Sequence, residues 1–107
     1  MAKLQINSNI LVSGNAAATG LATVINTTLE NTIYYSFSGS GLATFTVEAR
    51  DTLGNWGYVI DTITFSGNAG QQKSIKTFIT PIANAVRGDI NSISANCSGM
   101  ICLDSSF

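Results

Sequence analysis

The six acidic and five basic side chains are the places to look for chemistry in this 107-residue sequence, because it contains no histidine. Histidine is the commonest general base and the usual metal ligand. Its absence removes any Ser-His-Asp or Cys-His arrangement at once. Glu48 and Asp61 are the acids that could pair as in a glycosidase, since the strands expected to carry them are neighbours. Nothing around either residue marks it as desolvated, and the sequence favours two solvated, outward-facing carboxylates. Asp51-Thr52-Leu53-Gly54-Asn55 has alternate side-chain oxygens but lacks the further acids and distal glutamate of a calcium loop, so it reads as a turn. No catalytic, cofactor-binding or metal-binding set is assigned, and an enzyme is the least supported class.

Three short motifs carry less than their form implies. Arg87-Gly88-Asp89 is the tripeptide that integrins recognise, but three residues recur by chance, and a glycine inside a strand-like run predicts a bulge. Asn26-Thr27-Thr28 and Asn96-Cys97-Ser98 are glycosylation sequons, which act only in a secretory pathway. The opening MAKLQINSN lacks the apolar core of a signal peptide, so synthesis in a cytoplasm is expected. Cys97 and Cys102 are then expected to be reduced, unless a tight hairpin brings them together. Among the aromatic residues, alternation puts Tyr35 in the core with Ile33 and Phe37. Tyr34 and Tyr58 remain as exposed candidates for a protein interface or for the stacking platform of a carbohydrate-binding module.

These residues sit on a chain with 45% hydrophobic but only 10% charged residues, against roughly 25% charged in an ordinary globular domain. Ser, Thr, Asn and Gly supply the polar surface instead, which is the composition of a β protein with uncharged faces. A net charge of −1 leaves no electrostatic footprint for nucleic acid or an anionic membrane, and no apolar run approaches the ~20 residues of a membrane span. So little charge also favours association of copies.

Short bursts rich in β-branched and aromatic residues, separated by turn residues, predict about seven antiparallel strands in a single domain, 1–107. The bursts themselves are eight, at residues 4–12, 21–26, 30–37, 42–50, 56–65, 74–79, 85–93 and 99–103, with the last two as a closing pair. Residues 51–55 close a hairpin with Gly54 at positive φ. Residues 67–72 form a second loop, and Pro81 ends the sixth strand. The fold class is all-β, a small antiparallel β-sandwich or jelly roll. Residues 1–10 could extend as an arm to a neighbouring subunit. Trp56, the single tryptophan, is expected to plug the open end of the sandwich.

The strand Thr44-Phe45-Thr46-Val47-Glu48-Ala49-Arg50, the loop that follows and Trp56 resemble a pattern in small β-sandwich virion proteins of tailed bacteriophages. Ala85-Val86-Arg87 with Ile90, and Gly99-Met100-Ile101-Cys102-Leu103, extend it. The resemblance implies a non-enzymatic capsid cement or decoration protein, or else a small tail or neck component. It further implies a homotrimer located in the virion, with the major capsid protein as partner and Tyr34, Tyr58 and Arg87 as candidate interface residues.

Overall fold

The computed structural model describes residues 5–24, 30–67, 71–78 and 85–106, and among them there are nine strands and no helix. They are β1 (Gln5–Gly14), β2 (Ala18–Thr19), β3 (Thr23–Val24), β4 (Glu30–Ser38), β5 (Gly41–Arg50), β6 (Tyr58–Gly67), β7 (Gln71–Phe78), β8 (Ala85–Ile93) and β9 (Ser98–Ser106). A four-stranded sheet runs β1-β9-β4-β7. A five-stranded sheet runs β2-β8-β5-β6, with β3 also on β8, and every pairing is antiparallel. The all-β sandwich expected from the sequence is present.

Strand periodicity builds the core. On β4, Ile33, Tyr35 and Phe37 point inward; on β5, Ala43, Phe45, Val47 and Ala49 do, and all are buried. Four rings meet between the sheets. Tyr35 stacks on Phe45 with centroids 6.4 Å apart, Phe37 stacks on Phe65 at 5.7 Å, and Phe45 meets Phe65 edge-on at 5.6 Å. Leu11, Val12, Ile90, Ile101 and Leu103 complete this layer.

Several expected elements are arranged differently. β8 and β9 do not form a closing pair: β8 bonds β5, β2 and β3, while β9 lies between β1 and β4 in the other sheet. The chain changes sheet through the turn at Asn96, whose φ is 63°, so Cys97 and Cys102 are not the facing ends of a hairpin, and both are free thiols. Among the described residues, β5 and β6 are the consecutive strands that pair with each other. The expected arm is also corrected from Gln5 onward, since those residues pair with β9 at the edge of the chain's own sheet. Residues 15–17 carry the chain to β2, where Gly20 donates to the Gly88 carbonyl at 2.8 Å.

Gly88 marks no bulge, because it sits in regular register with Val47. A Cβ there would lie 3.0 Å from Val12 Cγ1 and 3.1 Å from Leu11 Cβ, so the residue permits β1 to approach β8. The bulge in β8 lies further on, between Ile90 and Ser92. Residues 68–70, Pro81 and the Asn26 sequon, with the strand termini assigned to Asn26 and Ile79, lie outside the described residues.

Gly99 faces the core beneath Phe45, and a Cβ there would fall on the phenyl ring. Gly99→Ala is expected to lower stability by about 1–3 kcal/mol through overpacking, read as a lower thermal midpoint in circular dichroism. An unchanged midpoint would mean that the ring has room to move.

Candidate functional site

Glu48 is the centre of the one cluster of interacting charges found among the described residues. It leaves the outer side of β5 in register with Arg87 of β8, whose Nη2 donates to Glu48 Oε1 at 3.2 Å. Asp89, two residues further along β8, shares a hydrogen bond with the same carboxylate. The backbone N–H of Gly57 donates to it from the β5–β6 loop. Thr19 of β2 lies in register with Asp89 and bonds its carboxyl. Glu48 therefore ties three separate segments to one strand, and its side chain is 14% exposed. The solvated carboxylate expected from the sequence is corrected accordingly.

Trp56 covers this cluster. The guanidinium of Arg87 lies 4.3 Å from the indole centroid and that of Arg50 lies 5.5 Å from it, both within cation–π range. Trp56 is half-buried and does not belong to the central apolar cluster. It is a lid over arginines on the outside of the five-stranded sheet, which corrects its expected role as a plug at the sandwich end. A cation on an indole face is less costly to bury than in an aliphatic site, and Arg87 lies there beside Glu48 with its Nε buried and unbonded.

The loop under Trp56 is built by Asp51. Its Oδ1 accepts the Leu53 and Asn55 N–H groups, each at 2.9 Å, and Gly54 turns the chain at φ 92°. The Tyr58 hydroxyl donates to Asp51 Oδ2 at 2.8 Å. Those bonds, first from Asn55 and then from Tyr58, hold the Asp51 carboxyl below its usual range and push the Tyr58 hydroxyl up. The sequence reading of this run as a turn agrees with the structure.

Asp61 does not join Glu48. Asp61 continues the inward row of Phe65 and Ile63 and pairs with inward-facing Val47, and a bulge at Ile60 then sets Val59 opposite Glu48. Asp61 therefore turns to the interior and accepts the Tyr35 hydroxyl at 2.9 Å. Burial, then the bond and charge of Asp61, push the Tyr35 hydroxyl far up, so it remains a proton donor. The acid that does partner Glu48, Asp89, was not legible as a partner. Two carboxyls in hydrogen-bond contact are also closer than the ~5 Å or more that glycoside hydrolysis needs.

Tyr34 and Tyr58 are exposed as expected, at 41% and 56%. Tyr34 lies on the four-stranded sheet and Tyr58 opens an edge strand of the other, so the two form no common sugar platform. Of the candidate residues, Arg87 and Trp56 come together. Beside them lies an open cleft of about 500 Å³ lined by Ala17, Ala18, Thr19, Glu48, Asp89 and Asn91.

The fold and this cluster define a small β-sandwich with an ionic cluster under a tryptophan on one face. No protein-family model and no curated protein sequence matches the chain. Solved structures do share its fold. The SPBc2 prophage-derived protein YomS superposes with a TM-score of 0.67 at 11% identity, over 100% of this chain and 96% of YomS. The PBSX exported protein XepA does so with a TM-score of 0.58 at 10% identity, over 94% of this chain and 36% of XepA. The chain thus spans about a third of XepA's length.

Burial first, then the bond to Glu48, pushes the Asp89 carboxyl up from 3.8 to about 6, while Glu48 is held below its usual range, chiefly by the bond from Asp89. Asp89 is raised in the folded state, so the stability from its proton is complete below about pH 4 and lost as pH rises through about 6. Glu48 has the opposite sign and loses its contribution on acidification. The thermal midpoint is expected to peak at roughly pH 4, where the folded and unfolded states each hold about one proton on the pair, and to fall towards pH 7. Asp89→Asn should flatten that fall, and a midpoint independent of pH in the native chain would disprove the shared proton.

Arg87→Ala removes the cation from this carboxylate and is expected to cost about 1–3 kcal/mol. A urea titration reads that loss. No change in its midpoint would mean that solvent replaces the guanidinium without penalty.

Proposed function

We propose that the protein is a non-enzymatic structural component of a bacteriophage particle, and within that class a cement or decoration protein of the mature head. The observation that carries this reading is the fold it has in common with a prophage-derived protein along the full length of both chains. The chemistry of the ionic cluster supports it. Glu48, Arg87, Asp89 and Trp56 use their bonding capacity on one another and on the backbone, which gives a rigid scaffold.

In this reading the partners are further copies of the chain and the major capsid protein. The protein binds assembled heads and not free capsid subunits, so it stabilises the shell by mass action. A tail or neck component would have the same fold and surface chemistry but a different place in the particle.

The test is to purify particles of the phage that encodes the chain and locate it by immunogold labelling and electron microscopy. Heads with and without the protein are then compared in a thermal disruption assay. Label on the head surface, with disruption at a higher temperature when the protein is bound, is the expected result. Label at the tail or neck would overturn the cement role while keeping the virion assignment. Particles without the protein would overturn both.

A further inference from the structure

The outer faces of the two sheets differ in kind. On the five-stranded sheet, the middle outward positions of β5 and β6 form a threonine ladder, with Thr44 and Thr64 hydroxyls 3.2 Å apart and Thr46 and Thr62 hydroxyls 3.4 Å apart, and the exposed Leu42 and Val59 lie apart at its two ends. On the four-stranded sheet, the row crossing the middle is apolar. Ile10 of β1 is in register with Cys102 of β9, and Cys102 with Tyr34 of β4. Ile10 is 63% exposed, Tyr34 is 41% exposed, and Cys102 is half-buried between them.

Polar residues flank this row on both sides. Thr32 pairs with Asp104 in the row towards one end of the strands, and Ser13 and Ser36 flank Met100 in the row towards the other. A two-fold axis lying in the face superposes the apolar row on itself and sets each flanking row against a flanking row or on itself. Such a pattern is self-complementary, as an isologous interface requires.

Three further features favour a second copy as the occupant. The molecule is a slab of 39 × 37 × 16 Å, so its broad face exceeds the ~800 Å² that each partner gives to a standard interface. Two of the sheet edges are poor templates for pairing: β1 is irregular at two points, and β6 has a bulge and an inward-turned Asp61. A net charge of −1 offers little repulsion between copies.

We propose that two copies of the chain pair back to back through the outer faces of their four-stranded sheets, about a two-fold axis, with the Ile10, Cys102 and Tyr34 row at the centre. This is a pair, in place of the threefold form that the sequence resemblance implies. It rests on the assembly-protein reading for nothing beyond self-association, and head binding is measured separately.

Light scattering on the purified chain is expected to give twice the 11.2 kDa chain mass. Ile10→Lys and Tyr34→Lys should each halve it while circular dichroism stays unchanged. Leu42→Lys, an exposed substitution on the other sheet, should leave the pair intact. In such a pair the two Cys102 thiols lie within one or two strand spacings, roughly 5–10 Å, so a short bismaleimide should join them in the native protein and fail in Cys102→Ser. A monomer at every concentration would overturn the proposal. So would a dimer or trimer that survives Tyr34→Lys and yields no Cys102 cross-link. In either case, heads that still bind the chain would leave the cement reading standing.

Discussion

The aromatic layer between the sheets is the contact from which the other features follow. Two rings from β4, Tyr35 and Phe37, meet one ring each from β5 and β6, and no other buried side chains among the described residues are as large. Their size fixes the separation of the sheets, and the backbone must yield where a ring and a strand compete for space, as at Gly99. The same layer fixes the edge of the five-stranded sheet. The Tyr35 hydroxyl reaches the limit of the apolar region and needs an acceptor, and Asp61 supplies it as the end of the inward row Phe65, Ile63, Asp61, just before β6 slips by one residue at Ile60. That slip exposes Val59 and Tyr58 beyond it, and so shapes the outer surface as well.

On the outside of the sandwich, the ionic cluster does for local segments what the rings do for the sheets. β2 contributes only two residues and the β5–β6 loop has no strand partner, so neither is held by a long ladder. Glu48 reaches the loop through Gly57 and reaches β2 through Asp89 and Thr19, while Trp56 closes over Arg87. A low-charge protein thus concentrates much of its ionic chemistry in one place where it has a structural use. The resulting asymmetry leaves one broad face with threonine pairs and the fastened ionic cluster, and the other with an apolar row across its middle.

The sequence was legible where two-residue alternation is unbroken. β4 and β5 read directly, and so did the burial of Tyr35, the exposure of Tyr34 and the Asp51 turn. Reading failed where one residue is inserted into a strand. Nothing in Val59-Ile60-Asp61 marks a bulge, yet it breaks the alternation that Phe65, Ile63 and Asp61 follow and leaves the adjacent Val59 and Tyr58 both exposed. Reading failed again for contacts between distant segments. Trp56 and Arg87 meet across 31 positions, and Glu48 and Asp89 across 41, so neither the lid nor the shared proton has a local signature. The closing pair of β8 and β9 was misplaced for a related reason: a short turn that changes sheets looks the same, residue by residue, as one that closes a hairpin.

The corner where the chain passes from β8 to β9 seals one thiol. Cys97 is 2% exposed, its Sγ faces the Ala95 carbonyl at 3.6 Å, and the position a Cβ would take on Gly39 is 2.7 Å from that sulfur. Ser94 fastens the corner to the start of β5, donating to the Leu42 carbonyl and accepting the Leu42 N–H, each at 2.9 Å. A reagent can reach Cys97 only when this end of the sandwich opens, whereas Cys102 answers to what lies on the sheet surface. The rate at which Cys97 becomes labelled is therefore a clock for sub-global opening, built into the chain and independent of whatever the broad faces bind.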